Sequence, residues 1–312
     1  MSATTPAAPA DPATPATPAT DTPAGPATPA DPAANMPAAT WQLPAASLSL
    51  ARPLIMGVLN VTPDSFYDGG QHASTATAIA HAEQMLADGA DLIDVGGEST
   101  RPGALELSLD AELARVLPVI THLTSNGAIV SVDTRHAGVA AAALAAGAAV
   151  INDVSGFRDA QMVRVLAQSD AACVVMHMQG QPQHMQESPH YDDVVAEVSA
   201  YLLAQASELE AQGVAPERIC IDPGPGFGKT YEHNLQLLQA TSQLASLGYP
   251  LMAAYSRKSF VGRLIGESDP SDRLIASVFV HIWAAAHGAR ILRVHDVHET
   301  VQILSALQII GD

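Results

Sequence analysis

The chain has 312 residues, and its 14 Lys and Arg against 32 Asp and Glu give a formal net charge of −18 at pH 7. This acidic balance argues against nucleic acid as a partner, because phosphate backbones are bound by basic surfaces. No stretch of 18 or more apolar residues occurs, so the sequence predicts no membrane-spanning segment.

The beginning of the chain differs in composition from the rest. Residues 1–45 are almost entirely Ala, Pro, Thr, Asp and Gly, with repeats such as PATPATPAT. Such a segment cannot bury enough apolar surface to offset the entropy lost on ordering, so we predict a disordered tail or spacer. A proline-rich docking tail is the alternative. No Lys or Arg precedes Arg52, and the features of a secretory signal or a transit peptide are not found.

Residues 46–312 are apolar-rich and long enough to form one large domain. The runs predicted as strands are, in chain order, 54–60, 91–97, 128–134, 149–156, 173–178, 218–224, 251–258 and 291–296. Most are rich in Val and Ile, as buried parallel strands are. The segments with helical periodicity are 75–88, 108–125, 136–146, 159–169, 192–212, 233–247, 271–287 and 298–310. Eight such pairs predict an α/β fold, a (β/α)8 TIM barrel preceded by the disordered tail.

The two cysteines of the chain give a first indication of its location. Cys173 and Cys220 both lie inside apolar runs. Buried reduced thiols are typical of a cytoplasmic protein, so no disulfide is predicted.

Nearly every predicted strand ends in a polar residue, at the face where such barrels carry their active sites. These residues are Asn60, Glu98, Ser99, Thr100, Arg101, Asp133, Asn152, His177, Asp222, Ser256, Arg257, Lys258, Arg293 and His295. Asp133, Asn152 and Asp222 can accept hydrogen bonds from the N–H groups of a flat heterocycle. A helix cap or a turn is the alternative for each residue alone, but their collection on one face favours a ligand site.

The few cations of the chain indicate an anionic ligand at the same face. The chain has only two lysines, Lys229 and Lys258, and both follow strand ends. The other candidate cations or donors there are Arg101, Arg293 and His295. Because arginine forks suit phosphate or carboxylate oxygens, a local cationic group in this acidic protein predicts an anion beside the heterocycle.

The stretch DPGPGFGKT, residues 222–230, is similar to a nucleotide-binding phosphate loop only at its end. The pattern G-x-x-x-x-G-K-[ST] needs a glycine where the chain has Pro223. Pro223 and Pro225 also remove two backbone N–H donors that such a loop would use. We therefore expect Asp222, rather than Lys229, to act in this segment.

A metal site could be built from His177, His184, His190, His295 and His298. Their spacing matches neither the helical H-E-x-x-H pattern nor a zinc set with cysteine. A histidine metal site is therefore not predicted.

Taken in order, the polar stretches resemble the signature motifs of one family, the dihydropteroate synthases. They are MGVLNVTPDSFYDGG (56–70), DVGGESTRPGA (94–104), SVDT (131–134), INDVSG (151–156), MHMQG (176–180), DPGPGFGK (222–229), SRKSFVG (256–262) and RVHDVHET (293–300). The resemblance runs from about residue 52 to the C-terminus. Pro225 departs from it at a position that is often bulky and apolar, which could alter the pocket wall. Tyr255 departs at a position that is usually small or apolar, beside the approach to Lys258.

The resemblance implies an enzyme of folate biosynthesis. The amine of 4-aminobenzoate displaces diphosphate from (7,8-dihydropterin-6-yl)methyl diphosphate and gives 7,8-dihydropteroate. The family is thought to use Mg²⁺ and an SN1-like step, in which the pterin methylene becomes a cation before the amine attacks. A homodimer is also implied.

The same resemblance assigns roles to individual residues. The implied catalytic residues are Asp133, Asp222, Lys258 and Arg293. The implied contacts to the pterin diphosphate are Thr100, Asp133, Asn152, Met176, Asp222, Phe227, Lys258, Arg293, Val294 and His295. The implied residues of the 4-aminobenzoate slot and its closing loops are Thr62, Phe66, Arg101, Pro102 and Ser256. Asn60 would bind the diphosphate partly through Mg²⁺, and Arg101 could grip the diphosphate instead.

Three other functions have to be weighed against this one. A pterin-binding methyltransferase acting on a methylated folate would share Asp133 and Asn152, but the stretches ESTRPG and SRKSF argue against it. A non-catalytic pterin-binding protein should lack part of the polar set, which is complete here. A phosphate-loop nucleotidase is disfavoured by the spacing at 222–230.

Overall fold

The computed structural model describes residues 1–2, 40–62, 70–99, 107–181, 183–266 and 269–311. Every element below belongs to one unit of the chain, Pro32–Asp312. Most of the predicted disordered tail lies outside the described residues, so that prediction stays a prediction.

The described residues contain ten strands and ten α-helices. The strands are β1 (Thr40–Gln42), β2 (Ser47–Ser49), β3 (Leu54–Asn60), β4 (Leu92–Gly96), β5 (Val130–Asp133), β6 (Val150–Asp153), β7 (Ala172–Met176), β8 (Ile219–Asp222), β9 (Met252–Ala253) and β10 (Ile291–Val294). The helices are α1 (Gly70–Ala87), α2 (Leu109–Ser125), α3 (Ala137–Ala145), α4 (Ala160–Ala167), α5 (Val194–Ala211), α6 (Tyr231–Gln239), α7 (Thr241–Ala245), α8 (Ser259–Ile265), α9 (Leu274–Ala286) and α10 (Val297–Gly311).

Strands β3 to β10 form a parallel eight-stranded sheet in the order β8-β7-β6-β5-β4-β3-β10-β9. A parallel bridge between Ile221 and Leu251 joins its two edges. The Ile221 amide also donates to Pro250 O at 2.9 Å, so the sheet closes on itself. With helices between successive strands, the predicted (β/α)8 barrel is confirmed.

Two helical details differ from the sequence prediction. The single helix expected over 233–247 is two helices, α6 and α7, which meet at Ala240. The Thr241 hydroxyl donates to Leu238 O at 2.5 Å across this junction. Helix α8 was not predicted, because its seven residues are too few to show a helical period.

A short antiparallel hairpin of β1 and β2 precedes the barrel strands in the chain. Its first strand begins at Thr40, six residues before the predicted domain start at residue 46. Trp41 is fully buried, and its Nε1 donates to Arg218 O at 3.1 Å. The hairpin was not predicted, because two strands of three residues are too short to show the alternation of apolar and polar residues that marks a strand.

The apolar core has two main parts. Outward-facing strand residues pack against the helices in the larger cluster. The smaller cluster fills the barrel interior together with the hairpin; we call this cluster the barrel floor, and it contains Trp41, Leu43, Leu50, Leu54, Met56, Leu92, Val150, Ala172, Val174, Cys220, Met252, Ala254 and Ile291. Filling of the interior by side chains from successive strands is usual for such barrels. The space for a ligand therefore lies beyond the floor, toward the C-terminal ends of the strands.

Among the described residues, none of the helices combines the length and the apolar character that crossing a membrane requires.

Candidate active site

A layer of polar side chains lies next to the barrel floor on its C-terminal side. Side chains alternate along a strand, so the residue two positions after a floor residue also faces the interior. Two positions beyond Leu92, Val150, Cys220 and Ile291 stand Asp94, Asn152, Asp222 and Arg293. Asp133, the last residue of β5, pairs in register with Asn152 of β6. Strand pairing thus assembles residues that are up to 199 positions apart in the chain.

Arg293 lies between two carboxylates in this layer. Its Nε donates to Asp94 Oδ2 at 2.6 Å, and its Nη2 donates to Asp133 Oδ2 at 2.6 Å. Burial by itself lowers the pKa of Arg293, but Asp94 and Asp133 outweigh it and raise the pKa above its usual range. The guanidinium is therefore a permanent cation with a fixed orientation.

Asp133 carries an altered proton affinity. Burial raises the pKa of Asp133 to about 7, although Arg293 opposes the shift. The negative charge of Asp94 raises the pKa further, since two carboxylates share one guanidinium. Asp133 Oδ1 is buried, and no described residue gives it a hydrogen-bond partner. This oxygen is available to a ligand.

Asp222 closes the eighth strand of the chain and holds the loop that follows it. Its Oδ1 accepts from the Gly224 amide at 2.7 Å. Gly224 has φ of +62°, and a Cβ there would lie 1.9 Å from His177 O, so only glycine fits. Burial raises the pKa of Asp222, and Lys258 is the strongest opposing influence.

Lys258 reaches the same site from the other side. Its Nζ donates to Pro225 O at 2.5 Å and lies 4.8 Å from the centre of the Phe227 ring. Burial lowers the pKa of Lys258 to about 8, while the carboxylate of Asp222 counteracts the shift. Lys258 is thus a cation at neutral pH that can lose its proton in mildly alkaline solution.

His295 and Ser256 form a hydrogen-bonded pair at the ends of β10 and β9. The His295 amide donates to Ser256 Oγ at 3.1 Å, and His295 Nδ1 lies 2.9 Å from the same oxygen. Burial and the charges of Arg293 and Arg257 lower the pKa of His295 to about 3. His295 is therefore a neutral hydrogen-bonding group at physiological pH.

Comparison with known proteins identifies the family. The model of the pterin binding enzymes matches residues 56–295. This chain belongs to that family. A dihydropteroate synthase of Neisseria meningitidis serogroup C is 48% identical over 275 residues, which cover 87% of this chain and 97% of the relative. Within the pterin binding enzymes, the chain is therefore a member of the dihydropteroate synthases, as the sequence motifs indicated.

Two solved structures place ligands in relatives of the same fold. The dihydropteroate synthase of Xanthomonas albilineans with 4-aminobenzoic acid has a TM-score of 0.83 and 43% identity, and the match covers 88% of this chain and 99% of that one. The enzyme of Burkholderia cenocepacia complexed with 7,8-dihydropteroate has a TM-score of 0.80 and 44% identity, over 88% of this chain and 96% of that one. The likeness covers the whole barrel of the dihydropteroate synthases.

The remaining implied residues of the dihydropteroate synthase site fall into three groups. Met176 and Val294 are buried, and Met176 joins an apolar cluster against which Phe227 packs. Asn60 ends β3, and Thr62 follows it with a half-buried side chain. Four implied residues lie outside the described residues, namely Phe66, Thr100, Arg101 and Pro102. The contacts implied for these residues and for Ser256 stay predictions.

Lys229 has a structural position in this family member. Its Nζ donates to Gly224 O at 2.9 Å and to Phe227 O at 3.0 Å, and it lies 2.9 Å from His177 Nδ1. Burial lowers the pKa of Lys229. Burial of His177 and the charge of Lys229 lower the pKa of His177 to about 3. The imidazole is therefore neutral, and its Nδ1 can accept the hydrogen bond from Lys229 Nζ. Lys229 thus holds the loop that presents Asp222.

A cluster of Glu98, Glu112 and His136 brings ligand atoms within 4.8 Å of one another. Glu98 is already engaged, because Arg135 donates to it from Nε at 2.9 Å and from Nη2 at 3.0 Å. Glu112 Oε2 lies 2.6 Å from His136 Nδ1. Since Arg135 occupies the carboxylate that a cation would need, we interpret the cluster as an ion-pair network.

One residue of the site, Asp94, was not predicted from the sequence. It stands in the middle of β4, two positions before the strand end, where site residues were not sought. An aspartate inside the apolar run DLIDVGG was the available signal, since a buried carboxylate needs partners. Its partners are Asn152 and Arg293.

The two departures from the family pattern have simple outcomes. Pro225 contributes its carbonyl oxygen to Lys258, so a wall position supplies a polar contact through the backbone. The Tyr255 ring packs 5.7 Å from the ring of Phe260 and 6.0 Å from that of His281, in the core between sheet and helices. Tyr255 therefore belongs to the helix–sheet core.

Proposed function

We propose that this protein condenses 4-aminobenzoate with (7,8-dihydropterin-6-yl)methyl diphosphate to give 7,8-dihydropteroate and diphosphate. The observation that carries the proposal is the polar layer of Asp133, Asn152, Asp222, Lys258 and Arg293 at the C-terminal end of the barrel. This layer combines groups that can accept hydrogen bonds from the N–H groups of a heterocycle with cations that can bind a diphosphate. Membership of the dihydropteroate synthases supports the same reaction.

The acceptors of the layer would bind the pterin. Asp133 Oδ1 has no partner among the described residues and can accept from a ring or amino N–H. Asp222 is also buried and offers a second carboxylate from another strand of the barrel. Lys258 is a donor suited to the pterin carbonyl and ring nitrogen. Together these groups would fix the ring so that its methylene carbon faces the amine.

The cations would stabilise the leaving group. In the reaction the C–O bond to diphosphate breaks, a C–N bond to 4-aminobenzoate forms, and the amine loses a proton. Negative charge builds on the diphosphate as it departs, so Arg293 and neutral His295 can stabilise it by charge and by hydrogen bonding. Loss of diphosphate before amine attack, as the family resemblance implies, would depend most strongly on this stabilisation.

The residues present also fit the Mg²⁺ that the family resemblance implies. Mg²⁺ prefers oxygen ligands and usually combines one or two protein ligands with substrate phosphates and water. Asn60 ends β3 beside Gly96, which in turn pairs with Asp133, so its amide oxygen belongs to the rim of the site. We propose that Asn60 holds Mg²⁺ together with the diphosphate. When bound, the ion would supply positive charge to the leaving group.

We also propose that the protein is a homodimer of the cytoplasm. Helices α8 and α9 expose an apolar face made of Leu264, Ile265, Ile275 and Phe279, which line one surface groove. Ile275 is 80% and Phe279 is 66% exposed. An apolar face of this kind marks an interaction surface. The buried free thiols Cys173 and Cys220 support a reducing compartment.

An assay for 7,8-dihydropteroate tests the proposal directly. Wild-type protein with both substrates and Mg²⁺ should form dihydropteroate and diphosphate in equal amounts, and chelation of Mg²⁺ should lower the rate. Asp222→Ala and Lys258→Ala should each lower kcat/KM for the pterin substrate by about a hundredfold or more.

Two matched variants control for general damage. Asp91→Asn removes a carboxylate from the opposite end of the barrel, and Arg263→Ala removes an exposed cation from helix α8. Both should keep wild-type turnover. Retained activity in both Asp222→Ala and Lys258→Ala would refute the assigned pterin pocket.

A further inference from the structure

Asp94 is a fully buried carboxylate inside the barrel that touches two groups of the pterin pocket. Its Oδ2 accepts from Asn152 Nδ2 at 2.9 Å and from Arg293 Nε at 2.6 Å. We propose that Asp94 is the positioning residue of the pocket, which turns Asn152 into a hydrogen-bond acceptor and aims Arg293 at the ligand. This inference rests on the proposed function, because the ligand it concerns is the pterin substrate.

The first step concerns the orientation of the Asn152 amide. An amide can present either its oxygen or its nitrogen to a ligand, and its neighbours decide which. Asp94 Oδ2 accepts a hydrogen bond from the NH₂ group of Asn152, which turns that end of the amide toward Asp94. The carbonyl oxygen of Asn152 is then left for the ligand. Asp94 thereby selects a heterocycle with an N–H donor at this point.

The second step concerns Arg293. Asp94 binds Nε and Asp133 binds Nη2, so two edges of the guanidinium are taken by different carboxylates. No described residue accepts a hydrogen bond from the remaining nitrogen, Nη1. A planar guanidinium held at two points cannot rotate freely. Asp94 thus fixes the plane of the arginine and leaves the N–H groups of Nη1 for the substrate.

The space around Asp94 agrees with a role beneath a ligand. The next interior position of β4 is Gly96, which has no side chain. A Cβ at Gly96 would lie 3.5 Å from Asp133 Cβ, at the mouth of the layer. Glycine therefore leaves open the space directly beyond Asp94, where a flat ring can approach Asn152 and Arg293.

The energetic cost of Asp94 argues against a purely structural role. It is 0% exposed, and no described residue gives its Oδ1 a hydrogen-bond partner. A buried carboxylate with an unpaired oxygen is unfavourable for folding, and apolar residues of similar volume are often more stable at such sites. The position contributes most through the two groups that it orients.

The experiment compares Asp94→Ala and Asp94→Asn with wild type. Binding of 6-hydroxymethyl-7,8-dihydropterin is measured by calorimetric titration, and the KM of each substrate is measured separately. Asp94→Ala should raise the Kd for this pterin about tenfold or more, because both orienting contacts are lost. Asp94→Asn should raise it about threefold, since an acceptor remains without its charge. The KM for 4-aminobenzoate should stay within about twofold.

Ser131→Ala is the matched control. Ser131 pairs with Asp94 in register, is fully buried, and its Oγ has no partner among the described residues. Its loss removes a polar atom at the same level of the barrel without touching Asn152 or Arg293. Pterin affinity and both KM values should be unchanged.

A double-variant cycle separates positioning from stability. If Asp94 acts through Asn152, then Asp94→Asn should weaken pterin binding less in an Asn152→Ala background than in wild type. Full additivity would overturn the inference, and so would unchanged pterin affinity in a folded Asp94→Asn variant. A protein that binds the pterin in this Asp94-dependent way but forms no dihydropteroate would instead refute the proposed function and support the inference.

Discussion

Lys258 shows how a single buried residue couples charge to function. The ammonium group donates to the Pro225 carbonyl and lies over the Phe227 ring, and the charge of Asp222 also favours a cation. Burial opposes them and lowers the pKa of Lys258 from 10.5 to about 8. The residue is therefore charged at neutral pH but loses its proton more readily than an exposed lysine.

We predict that kcat/KM for the pterin substrate falls as pH rises through about 8, the pKa of Lys258. The ammonium form is present below this pH and is lost above it, and with it a donor to the pterin. In Lys258→Arg the fall near pH 8 should disappear, even if the rate is lower, because arginine stays charged. The measurement is the pH profile of kcat/KM for both proteins.

Stability provides the control for this profile. Because the folded-state pKa of Lys258 is lowered, the unfolded chain binds more protons between pH 8 and 10.5. The contribution of Lys258 to stability therefore rises with pH in the range where activity falls. The titration of Lys258 thus cannot cause unfolding at alkaline pH. A descending limb that is unchanged in Lys258→Arg would assign the titration to another group.

At the scale of elements, the end of β4 is tied to its surroundings through Glu98. Glu98 Oε1 accepts from the Leu107 amide at 2.9 Å, and both of its oxygens bind Arg135, which follows β5. The hydrogen bonds of Arg135 and Leu107 lower the pKa of Glu98 although burial opposes them. Glu98 and Leu107 stand on either side of residues 100–106, which carry the predicted 4-aminobenzoate residues Arg101 and Pro102 and one predicted pterin diphosphate contact, Thr100.

We predict that Glu98→Gln raises the KM for 4-aminobenzoate about threefold or more and leaves the KM for the pterin substrate within about twofold. Neutral glutamine cannot keep the pair of charge-assisted hydrogen bonds with Arg135. Residue 98 and Leu107, which flank residues 100–106, would then be held less firmly. Steady-state kinetics with each substrate varied in turn provide the measurement. A larger effect on the pterin KM would contradict this division of the site.

The ion pair of Arg52 and Asp91 offers a comparison for that variant. It joins two residues at the N-terminal end of the barrel, at 2.6 Å, with Arg52 57% exposed. Arg52→Ala should leave both KM values unchanged, because exposed ion pairs contribute little and this one is remote from the site.

At the scale of the whole molecule, two surfaces of the barrel differ in their exposure to solvent. The N-terminal end is covered by the hairpin, whose Trp41 is fully buried. The apolar face of Leu264, Ile265, Ile275 and Phe279 is left open to solvent. Burying such a face against a second copy would remove apolar area from water, which is the main force in stable association.

We predict that wild-type protein is a dimer at micromolar concentration and that Phe279→Asp or Ile275→Asp shifts it toward monomer. A carboxylate placed at the centre of an apolar interface would be buried without a partner. Sedimentation velocity measures the change.

Leu203→Asp is the matched substitution for the dimer test. Leu203 is 37% exposed on helix α5, outside the apolar face. It should leave the sedimentation of the protein as it is in wild type. Wild-type protein that sediments as a monomer over this concentration range would exclude the proposed dimer.

The periodic features of the chain were predictable because they depend on neighbours in sequence. Alternating apolar runs and helical segments identified all eight barrel strands. Asp133, Asn152, Asp222 and Arg293 were recognised because parallel strands bring their ends together. Short elements were not, since helix α8 and the hairpin have too few residues to show a period.

The sequence by itself determined the barrel, its family and most of the polar residues of the pocket. Only the tertiary structure decided how those residues are used. It showed that Lys229 binds its own loop while Lys258 binds the Pro225 carbonyl, and that Asp94 joins Asn152 to Arg293. The physical reason is that strand and helix patterns arise from contacts between near neighbours in the chain. The pairing of Asp94 with Arg293 spans 199 residues and exists only once the barrel has closed.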